Sequence, residues 1–513
     1  MPHELDGLQF PIQEHTQKPS SSKTGREIIS AALNAVDSSS AQAAKKEKNW
    51  RKHYPVHFKA LVEQGIQSSE ASLKIAEAGL ASVYENFEFY RDGYKLSIND
   101  MLQMHSKPLH TYCLKGHSTL QPQWYVPYQG QKLQGTALLA QIDLWQSKGI
   151  IEPSHAQALR ECIAHPEWFD LSDRTMVLFG AASEAGPLTW LAQWKANIMA
   201  LDLPNQRVWN KILNTVLQGN ATLYAPSLNA IAPNASMTEL AETLGANLLT
   251  QTPEIAQWLL QFKQDLDLAA IAYLDGEKHV RVSVAMDSVM QYVSQHKANT
   301  SLMYMCTPTD VYAVPSEIID AAQEKYLERS KLHSALSKGI STLSAQHFFQ
   351  SPTFTRIQSG ERDYGICDCL VVEQGPNYAL AKRLQQWRAT LARQNGQRVS
   401  INIAPSTTTH SVTKNPLLKA AFNGARLFNV EAFPPETTNS IMAALWIHDL
   451  RNPKSAANPE IKLNHPLELM MEGANHGGLW RVAYLARTAL PFAALYGFAT
   501  DKLPKGLMNK LGI

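Results

Sequence analysis

The chain has 513 residues, of which 44% are hydrophobic and 18% are charged, and its formal net charge is +2. This length predicts two or three structural units with enough apolar material for a sizeable core. The near balance of charges argues against a nucleic-acid partner. The five cysteines are scattered and odd in number, so they indicate a reducing compartment rather than a disulfide framework.

Neither a metal site nor a membrane or secretory segment is expected. Cys367 and Cys369 form a lone Cys-x-Cys pair without the four ligands that a structural zinc site requires. The first residues, MPHELDGLQFPIQEH, contain no continuous apolar core of signal-peptide length. No stretch of about 18 uncharged apolar residues favours a membrane-spanning helix. We therefore expect a cytoplasmic protein without a bound metal.

The N-terminal part of the chain contains no residues that suggest an active site. Residues 1–48 are rich in Ser, Gln, Lys and Ala and are interpreted as a flexible segment. Residues 49–169 are predicted to form a helical N-terminal domain. Apolar residues recur there at three- and four-residue spacing, in SSEASLKIAEAGLASVYENF and in GTALLAQIDLWQSKG. A third helix is expected after Pro153.

The pattern changes near residue 170, where short apolar runs begin to alternate with helical segments. Strands are predicted at TMVLF (175–179) and NIMAL (197–201), with a helix at GPLTWLAQWKA (186–196) between them. Further strand candidates are GANLLT, LAAIAYL, SLMYMC and RVSINIA. This alternation predicts an α/β domain over residues 170–455, with a parallel sheet covered by helices on both faces.

Two segments interrupt or follow this domain. An insertion at about 310–372 is expected to contain a helix near 315–340 and a hairpin, TFTRIQ–SGERDYG–ICDCLVV. Residues 456–513 are expected to form a C-terminal helical tail. The stretch VAYLARTALPFAALYGFA in this tail predicts a buried helix or lid, and the alternative is contact with a membrane surface. His465 and His476 are interpreted as loop histidines.

A glycine turn follows the first predicted strand. Gly180, Ser183 and Gly186 lie between that strand and the next helix, where backbone N–H groups and the helix N-terminus can bind a pyrophosphate. Asp202 ends the second strand, and a carboxylate there can accept both ribose hydroxyls, which favours NAD over NADP. Arg207 is close enough in sequence to weaken this preference. The alternative is an ordinary strand-to-helix loop.

A second motif, Tyr378-Ala-Leu-Ala-Lys382, lies on a predicted helix of about 19 residues. Residues four apart share one helix face. A nearby ammonium can lower the pKa of a phenol, whose usual value is about 10, and so prepare it for proton transfer. Gly396 and the strand RVSINIA follow this helix, and the strand leads into Pro405.

With these motifs the sequence resembles the short-chain dehydrogenase/reductase family over about residues 171–450. The resemblance implies a Rossmann-like doubly wound parallel sheet and chemistry between a carbonyl and an alcohol, with NAD as cofactor and NADP as the alternative. Tyr378 would exchange the proton, and Lys382 would tune Tyr378 and bind the cofactor ribose. Pro405 and Thr407 would face the nicotinamide.

Three positions depart from the family pattern. Glu184 stands where the family has its middle glycine, and a carboxylate there would repel a pyrophosphate. No serine lies about a dozen residues before Tyr378. If the insertion is left out, Thr307 follows the strand SLMYMC and could orient the substrate carbonyl, or simply bond to the backbone. Asp287 falls near the position of the family's helix asparagine and is interpreted as a solvated side chain.

The predicted function is therefore NAD(P)-dependent redox chemistry on a small molecule, with a bulky hydrophobic, lipid-like or acyl substrate fitting the extra segments. One alternative is a nucleotide-binding but redox-inactive scaffold, favoured by Glu184 and the missing serine. Another is epimerisation or dehydration in the same site. The family resemblance also implies a homo-oligomer.

Overall fold

The computed structural model describes residues 6–232, 234–344, 347–414 and 416–502. Its N-terminal part combines five helices with short strands. The strands are β1 (Gly7–Gln9), β2 (Ile12–Gln13), β3 (Lys18–Pro19), β4 (Glu88–Arg91) and β5 (Tyr94–Ser97). The helices are α1 (Ser21–Asn34), α2 (Ser38–Lys46), α3 (Trp50–Ile66), α4 (Ser69–Asn86) and α5 (Ile98–Gln103).

The next elements join this part to the central sheet. They are β6 (His110–Lys115), β7 (Val126–Tyr128), β8 (Gln131–Leu133), α6 (Gly135–Ser147) and α7 (Pro153–Ala164). The predicted helices of this region are confirmed as α4, α6 and α7.

Alternating strands and helices then build most of the central sheet. The strands are β9 (Thr175–Phe179), β10 (Asn197–Leu201), β11 (Thr222–Ser227), β12 (Leu266–Ala270) and β13 (Thr300–Cys306). The helices are α8 (Leu188–Leu191), α9 (Gln206–Leu217), α10 (Met237–Thr243), α11 (Thr252–Leu260) and α12 (Glu277–His296).

The chain then leaves the sheet and returns to it. This insertion consists of β14 (Val311–Pro315), α13 (Ser316–Leu327), α14 (Lys331–Leu343), β15 (Arg356–Ser359) and β16 (Arg362–Asp368). The remaining elements are α15 (Pro376–Gln394), β17 (Arg398–Ile403), α16 (His410–Thr413), α17 (Pro416–Gly424), α18 (Pro435–Arg451) and α19 (Ala486–Lys502).

The central sheet has seven strands in the order β17-β13-β12-β9-β10-β11-β6. Six strands of this sheet are parallel to one another: β9, β10, β11, β12, β13 and β17. The seventh strand, β6, pairs antiparallel with β11 at one edge. Counted from β9, the parallel strands follow the 3-2-1-4-5-6 order of a doubly wound Rossmann fold. The predicted α/β Rossmann-like class is confirmed. The strand order reverses between β9 and β12, and ligands of such sheets bind at the carboxyl ends of the strands at that point.

Two apolar cores cover the faces of this sheet. On one face, buried side chains of α11, α12 and α15 pack together with those of α1 and α4. On the other face, α8, α9 and α18 supply the buried residues. Because α1 and α4 belong to the first core, the N-terminal helices form an outer layer over α15. Within the described ranges, no helix has both the length and the apolar character needed to cross a bilayer.

The interpretation of residues 1–48 as flexible is wrong for the part that the structure describes. Residues 7–46 contain three short strands and two helices, and Leu8, Phe10, Ile28 and Leu33 are fully buried. The polar composition hid an amphipathic helix, whose apolar residues recur on one face. Residues 1–5 lie outside the described residues.

Other expectations about segments also need correction. Residues 49–169 are not purely helical, since β6 extends the central sheet. GANLLT is not a strand; the third parallel strand is TLYAPS, at β11. GPLTWLAQWKA forms only the single turn of α8, and Lys195 takes a left-handed φ of 57° just before β10. Such a conformation ends a helix and turns the chain.

The insertion forms a three-stranded antiparallel sheet of its own, in the order β14-β16-β15. Its predicted hairpin is confirmed by the pairing of β15 with β16. The predicted helix is divided into α13 and α14. The tail is less helical than expected, because only α19 is a long helix there, and residues 503–513 lie outside the described residues. The division of the chain into domains remains a prediction.

Candidate active site at the carboxyl ends of the strands

The glycine turn lies directly after β9, at the point where the strand order reverses. Gly180 has a φ of +89°, a conformation that favours glycine. A Cβ atom on Gly180 would lie 2.6 Å from the Cα of Ala272, in the loop that follows β12. The glycine is therefore required by the close approach of the chain itself, and it does not by itself establish a phosphate site.

Asp202 holds this turn in place. One carboxylate oxygen accepts a hydrogen bond from the N–H of Ala182 at 2.8 Å, and the other accepts one from the N–H of Leu203 at 2.9 Å. Burial raises the pKa of Asp202, although both hydrogen bonds act to lower it. The carboxylate is thus engaged with the backbone, and a ribose hydroxyl would have to share it.

The rest of the turn is closed by its own contacts. The N–H of Ser183 donates to the carbonyl of Gly180 at 3.0 Å, and the N–H of Gly186 donates to the carbonyl of Ser183 at 3.1 Å. The exposed Glu184 carboxylate accepts a hydrogen bond from the backbone N–H of His410 at 2.8 Å. Glu184 therefore connects the turn to the first residue of α16.

The second motif lies beside β13 and α12. Tyr378 is in the first turn of α15, and its hydroxyl lies near the side chain of Thr307, just beyond the end of β13. Thr307 is buried and pairs with the hydroxyl of Thr309 at 2.8 Å. Burial raises the pKa of Tyr378 to about 12, although the nearby Thr307 hydroxyl acts to lower it. Tyr378 is thus a neutral phenol at neutral pH.

Lys382 lies one turn further along α15 and is hydrogen-bonded to neighbouring groups of the protein. Its ammonium donates to the carbonyl oxygen of Met305 at 2.9 Å and to Gln385 at 3.3 Å. Burial lowers the pKa of Lys382. The ammonium is not among the causes that shift the pKa of Tyr378. Lys382 therefore ties α15 to β13 in this structure.

The insertion begins and ends at this site. Asp310 is buried, and its carboxylate accepts hydrogen bonds from Arg383 at 3.0 Å and Gln386 at 2.9 Å. Because both partners lie on α15, they fasten the start of the insertion to the helix that carries Tyr378. This anchoring keeps Thr307 next to Tyr378 although the whole insertion separates them in sequence.

The segment after β17 lies on the far side of the β13 end. The N–H of Ala404 donates to the carbonyl of Cys306 at 3.0 Å. This hydrogen bond holds Pro405 close to Thr307 at the ends of β17 and β13. The Thr407 hydroxyl donates to the carbonyl of Pro405 at 2.9 Å and pairs with Thr438 at 2.8 Å. Thr407 is therefore bonded within its own loop.

Sequence reasoning missed His279, in the first turn of α12. Its imidazole is 2% exposed, and neither ring nitrogen has a hydrogen-bond partner among the described residues. The ring is stacked on Tyr378, with centroids 5.4 Å apart and planes at 22°. Tyr273, in the loop after β12, contacts both rings. His279 follows the fourth parallel strand of the sheet, but this position alone does not distinguish it from other histidines in the sequence.

The interpretation of Asp287 as a solvated side chain is wrong. Asp287 is buried between α12 and α15, where Arg388 donates to both of its carboxylate oxygens at 2.7 and 2.8 Å. The Tyr84 hydroxyl of α4 donates to it at 2.9 Å. Asp287 therefore joins three helices in this structure.

The remaining histidines and cysteines of interest lie away from this site. His476 is fully buried and bonds to Glu152 at 2.8 Å, and His465 is also buried. The Sγ atoms of Cys367 and Cys369 are 3.4 Å apart. In the part of the chain that the structure describes, no group of three or more potential ligands could hold a metal.

A polar cavity of about 180 Å³ lies beside β17, far from Tyr378 in the fold. Its lining includes Glu161, Asn402, His448 and Asp449. These groups are mutually satisfied, since His448 pairs with Glu161 and Asp449 accepts from Asn402. We interpret the cavity as a structural feature of the sheet edge.

No family model matches the sequence, and neither does any curated protein. Among solved structures, the chain is similar to a thiolation-reductase di-domain from an archaeal non-ribosomal peptide synthetase, with 13% sequence identity and a TM-score of 0.26. The similarity covers 58% of this chain and 57% of that chain, so the chain spans little more than half the length of that protein. A likeness this distant carries no argument about function.

Proposed function

We propose that the protein is an NAD(P)-dependent oxidoreductase that interconverts a carbonyl and an alcohol. One observation carries the proposal. Thr307 and Tyr378 are separated in sequence by the whole insertion, yet their side chains lie near each other at the carboxyl end of β13. Lys382 lies one turn away on the same helix. This is the arrangement that the resemblance to short-chain dehydrogenases and reductases requires.

The residues of this site have separate roles in the proposed reaction. A bound nicotinamide would supply or accept the hydride. Tyr378, as a neutral phenol, donates its proton to the substrate oxygen. The Thr307 hydroxyl lies near the Tyr378 hydroxyl and orients the substrate oxygen toward it. Lys382 keeps α15 in register with β13 through the carbonyl of Met305.

The residues of the site would fit the nicotinamide end of the cofactor better than its diphosphate and adenosine end. The reacting end is supported by the Thr307–Tyr378 pair and by the unpartnered nitrogens of His279. The turn of Gly180, Ser183 and Gly186 would hold the diphosphate, and Asp202 would hold the adenosine ribose. Binding there requires that the contact between Glu184 and the His410 N–H opens.

The substrate class is the least constrained part of the proposal. We propose a bulky hydrophobic or acyl substrate, because α17, the short helical turn directly after it and α19 leave large apolar side chains exposed. These side chains are Leu417, Leu427, Leu495 and Phe498. The same side chains would support peripheral contact with a membrane surface.

A nucleotide-binding but redox-inactive scaffold is the second candidate. It is favoured by the engaged carboxylates of Asp202 and Glu184 and by α8, whose single turn supplies little helix dipole to a diphosphate. In that case Tyr378 would not take part in a chemical reaction.

The proposal is tested by titrating NADH and NADPH into the purified protein while nicotinamide fluorescence is followed. Saturable binding is expected, and Glu184→Gln should tighten it several-fold, because the variant removes a negative charge near the diphosphate. Glu77→Gln, at an exposed position of α4, is the matched charge control. Asp202→Ala is less informative, since Asp202 also holds the turn.

Turnover then separates the two candidates. Carbonyl substrates are screened with the preferred cofactor, and Tyr378→Phe should abolish reduction while leaving cofactor binding unchanged. Binding without any turnover would favour the scaffold. Absence of binding to either nucleotide, in wild type and in Glu184→Gln, would overturn both candidates.

A further inference from the structure

His279 is a buried polar group that the Thr307–Tyr378–Lys382 arrangement does not use. It lies at the start of α12, directly after the loop that covers Gly180. Its side chain is almost completely buried, and both ring nitrogens lack partners among the described residues. Buried polar atoms normally have hydrogen-bond partners, so two unpartnered nitrogens on one ring point to a bound ligand.

The surroundings of His279 determine what it can offer to that ligand. Burial lowers the pKa of His279 well below its usual value, and the Lys382 ammonium lowers it further. The imidazole is therefore neutral, with one N–H donor and one nitrogen acceptor. The ring is stacked on Tyr378 with the centroids 5.4 Å apart, so these atoms lie beside the ring that carries the phenol.

We propose that His279 is a catalytic residue that binds a second oxygen of the substrate. The inference rests on the proposed function and narrows its substrate class to carbonyl compounds with a hydroxyl or a second carbonyl one or two carbons from the reacting carbon. Tyr378 gives its proton to the oxygen of the reacting carbonyl, and a nicotinamide bound at this site would supply the hydride that the carbon accepts. The second oxygen is unchanged in the reaction and is held by the imidazole N–H.

The test compares two probes with the same five-carbon chain, 2,4-pentanedione and 2-pentanone. Wild type should reduce the dione with a kcat/KM at least about tenfold higher, the effect of one substrate hydrogen bond. His279→Phe, which keeps the stacked ring but has no polar atoms, should bring the ratio of the two kcat/KM values down to about one. His279→Gln should retain part of the preference. An unchanged preference in His279→Phe overturns the inference.

A binding measurement separates failure of the inference from failure of the proposed function. In protein labelled with ¹⁵N-histidine, the imidazole signals that disappear in His279→Phe belong to His279. These signals should shift when 2,4-pentanedione is added and stay in place with 2-pentanone. A selective shift without turnover supports the binding role and overturns the redox function. Turnover of both probes with no selective shift overturns the role of His279 alone.

Discussion

The protonation state of Tyr378 gives the proposed reaction a preferred direction. A phenol with a pKa of about 12 holds its proton at neutral pH, so it can donate to a carbonyl oxygen but cannot accept from an alcohol. Desolvation raises this pKa, and the nearby Thr307 hydroxyl acts to lower it. The site is therefore arranged for reduction.

This arrangement predicts opposite pH profiles for the two directions. The kcat/KM for carbonyl reduction should stay constant from about pH 6 to pH 10, because the required protonated phenol is lost only near its pKa of about 12. The kcat/KM for alcohol oxidation should rise about tenfold per pH unit over the same range, since it depends on the phenolate. Initial rates in both directions test this. A reduction rate that falls by about pH 8 would contradict it.

How much of the site the sequence predicts depends on distance along the chain. Tyr378 and Lys382 share a helix, so their spacing alone predicted a common face. Thr307 could be identified only through the family resemblance, with the insertion left out of the comparison. His279 could not be inferred, because a lone histidine near a strand end becomes informative only once its burial and its contact with Tyr378 are known. The contact of Glu184 with His410 likewise depends on the folded chain.

At the scale of elements, accuracy follows the strength of the local pattern. TMVLF and NIMAL are continuous apolar runs between turns, and both strands begin and end where predicted. The helix expected at 186–196 failed because the left-handed Lys195 ends the segment after one turn. GANLLT failed because a buried loop and a buried strand have the same apolar composition.

The ion pair between α12 and α15 provides a prediction at this scale. Asp287→Asn should lower the free energy of unfolding by about 3 kcal/mol, because it leaves the Arg388 cation without its counter-charge in a mostly buried position. Thermal and urea unfolding of the two proteins measure the difference. Glu70→Gln, which breaks an exposed pair with Lys74, is the control and should have no measurable effect. Equal stability of Asp287→Asn and wild type would mean that solvent reaches Arg388.

At the scale of the whole molecule, the N-terminal helices are part of the Rossmann core rather than an appendage. Leu8 is part of β1, which pairs with β4, and its carbonyl accepts a hydrogen bond from Arg281 of α12 at 2.6 Å. The hydroxyl of Tyr54, on α3, donates to the carbonyl of Val371 at 3.0 Å, close to α15. The layer thus supports both helices that form the proposed site, and composition alone could not reveal it.

Removal of residues 1–48 should therefore prevent folding of the remaining chain. Leu8, Phe10, Ile28 and Leu33 are fully buried, and burial contributes about 1.5–3 kcal/mol for each such side chain. Together they account for roughly 6–12 kcal/mol, which is comparable with the whole net stability of a domain. The truncated protein should aggregate on expression.

A pair of point variants tests the same conclusion without truncation. Leu33→Ala should cost about 2–5 kcal/mol, because it leaves a cavity in the core, and thermal denaturation should detect it. Leu343→Ala makes the same chemical change at a side chain that is 91% exposed, so its melting temperature should match wild type. Two results would show that the N-terminal layer does not stabilise the sheet. One is a folded protein formed by residues 49–513 alone with the wild-type melting temperature. The other is equal melting temperatures for Leu33→Ala and Leu343→Ala. Tyr378 and His279 would then have to be held by α12 and α15 without support from α1 and α4.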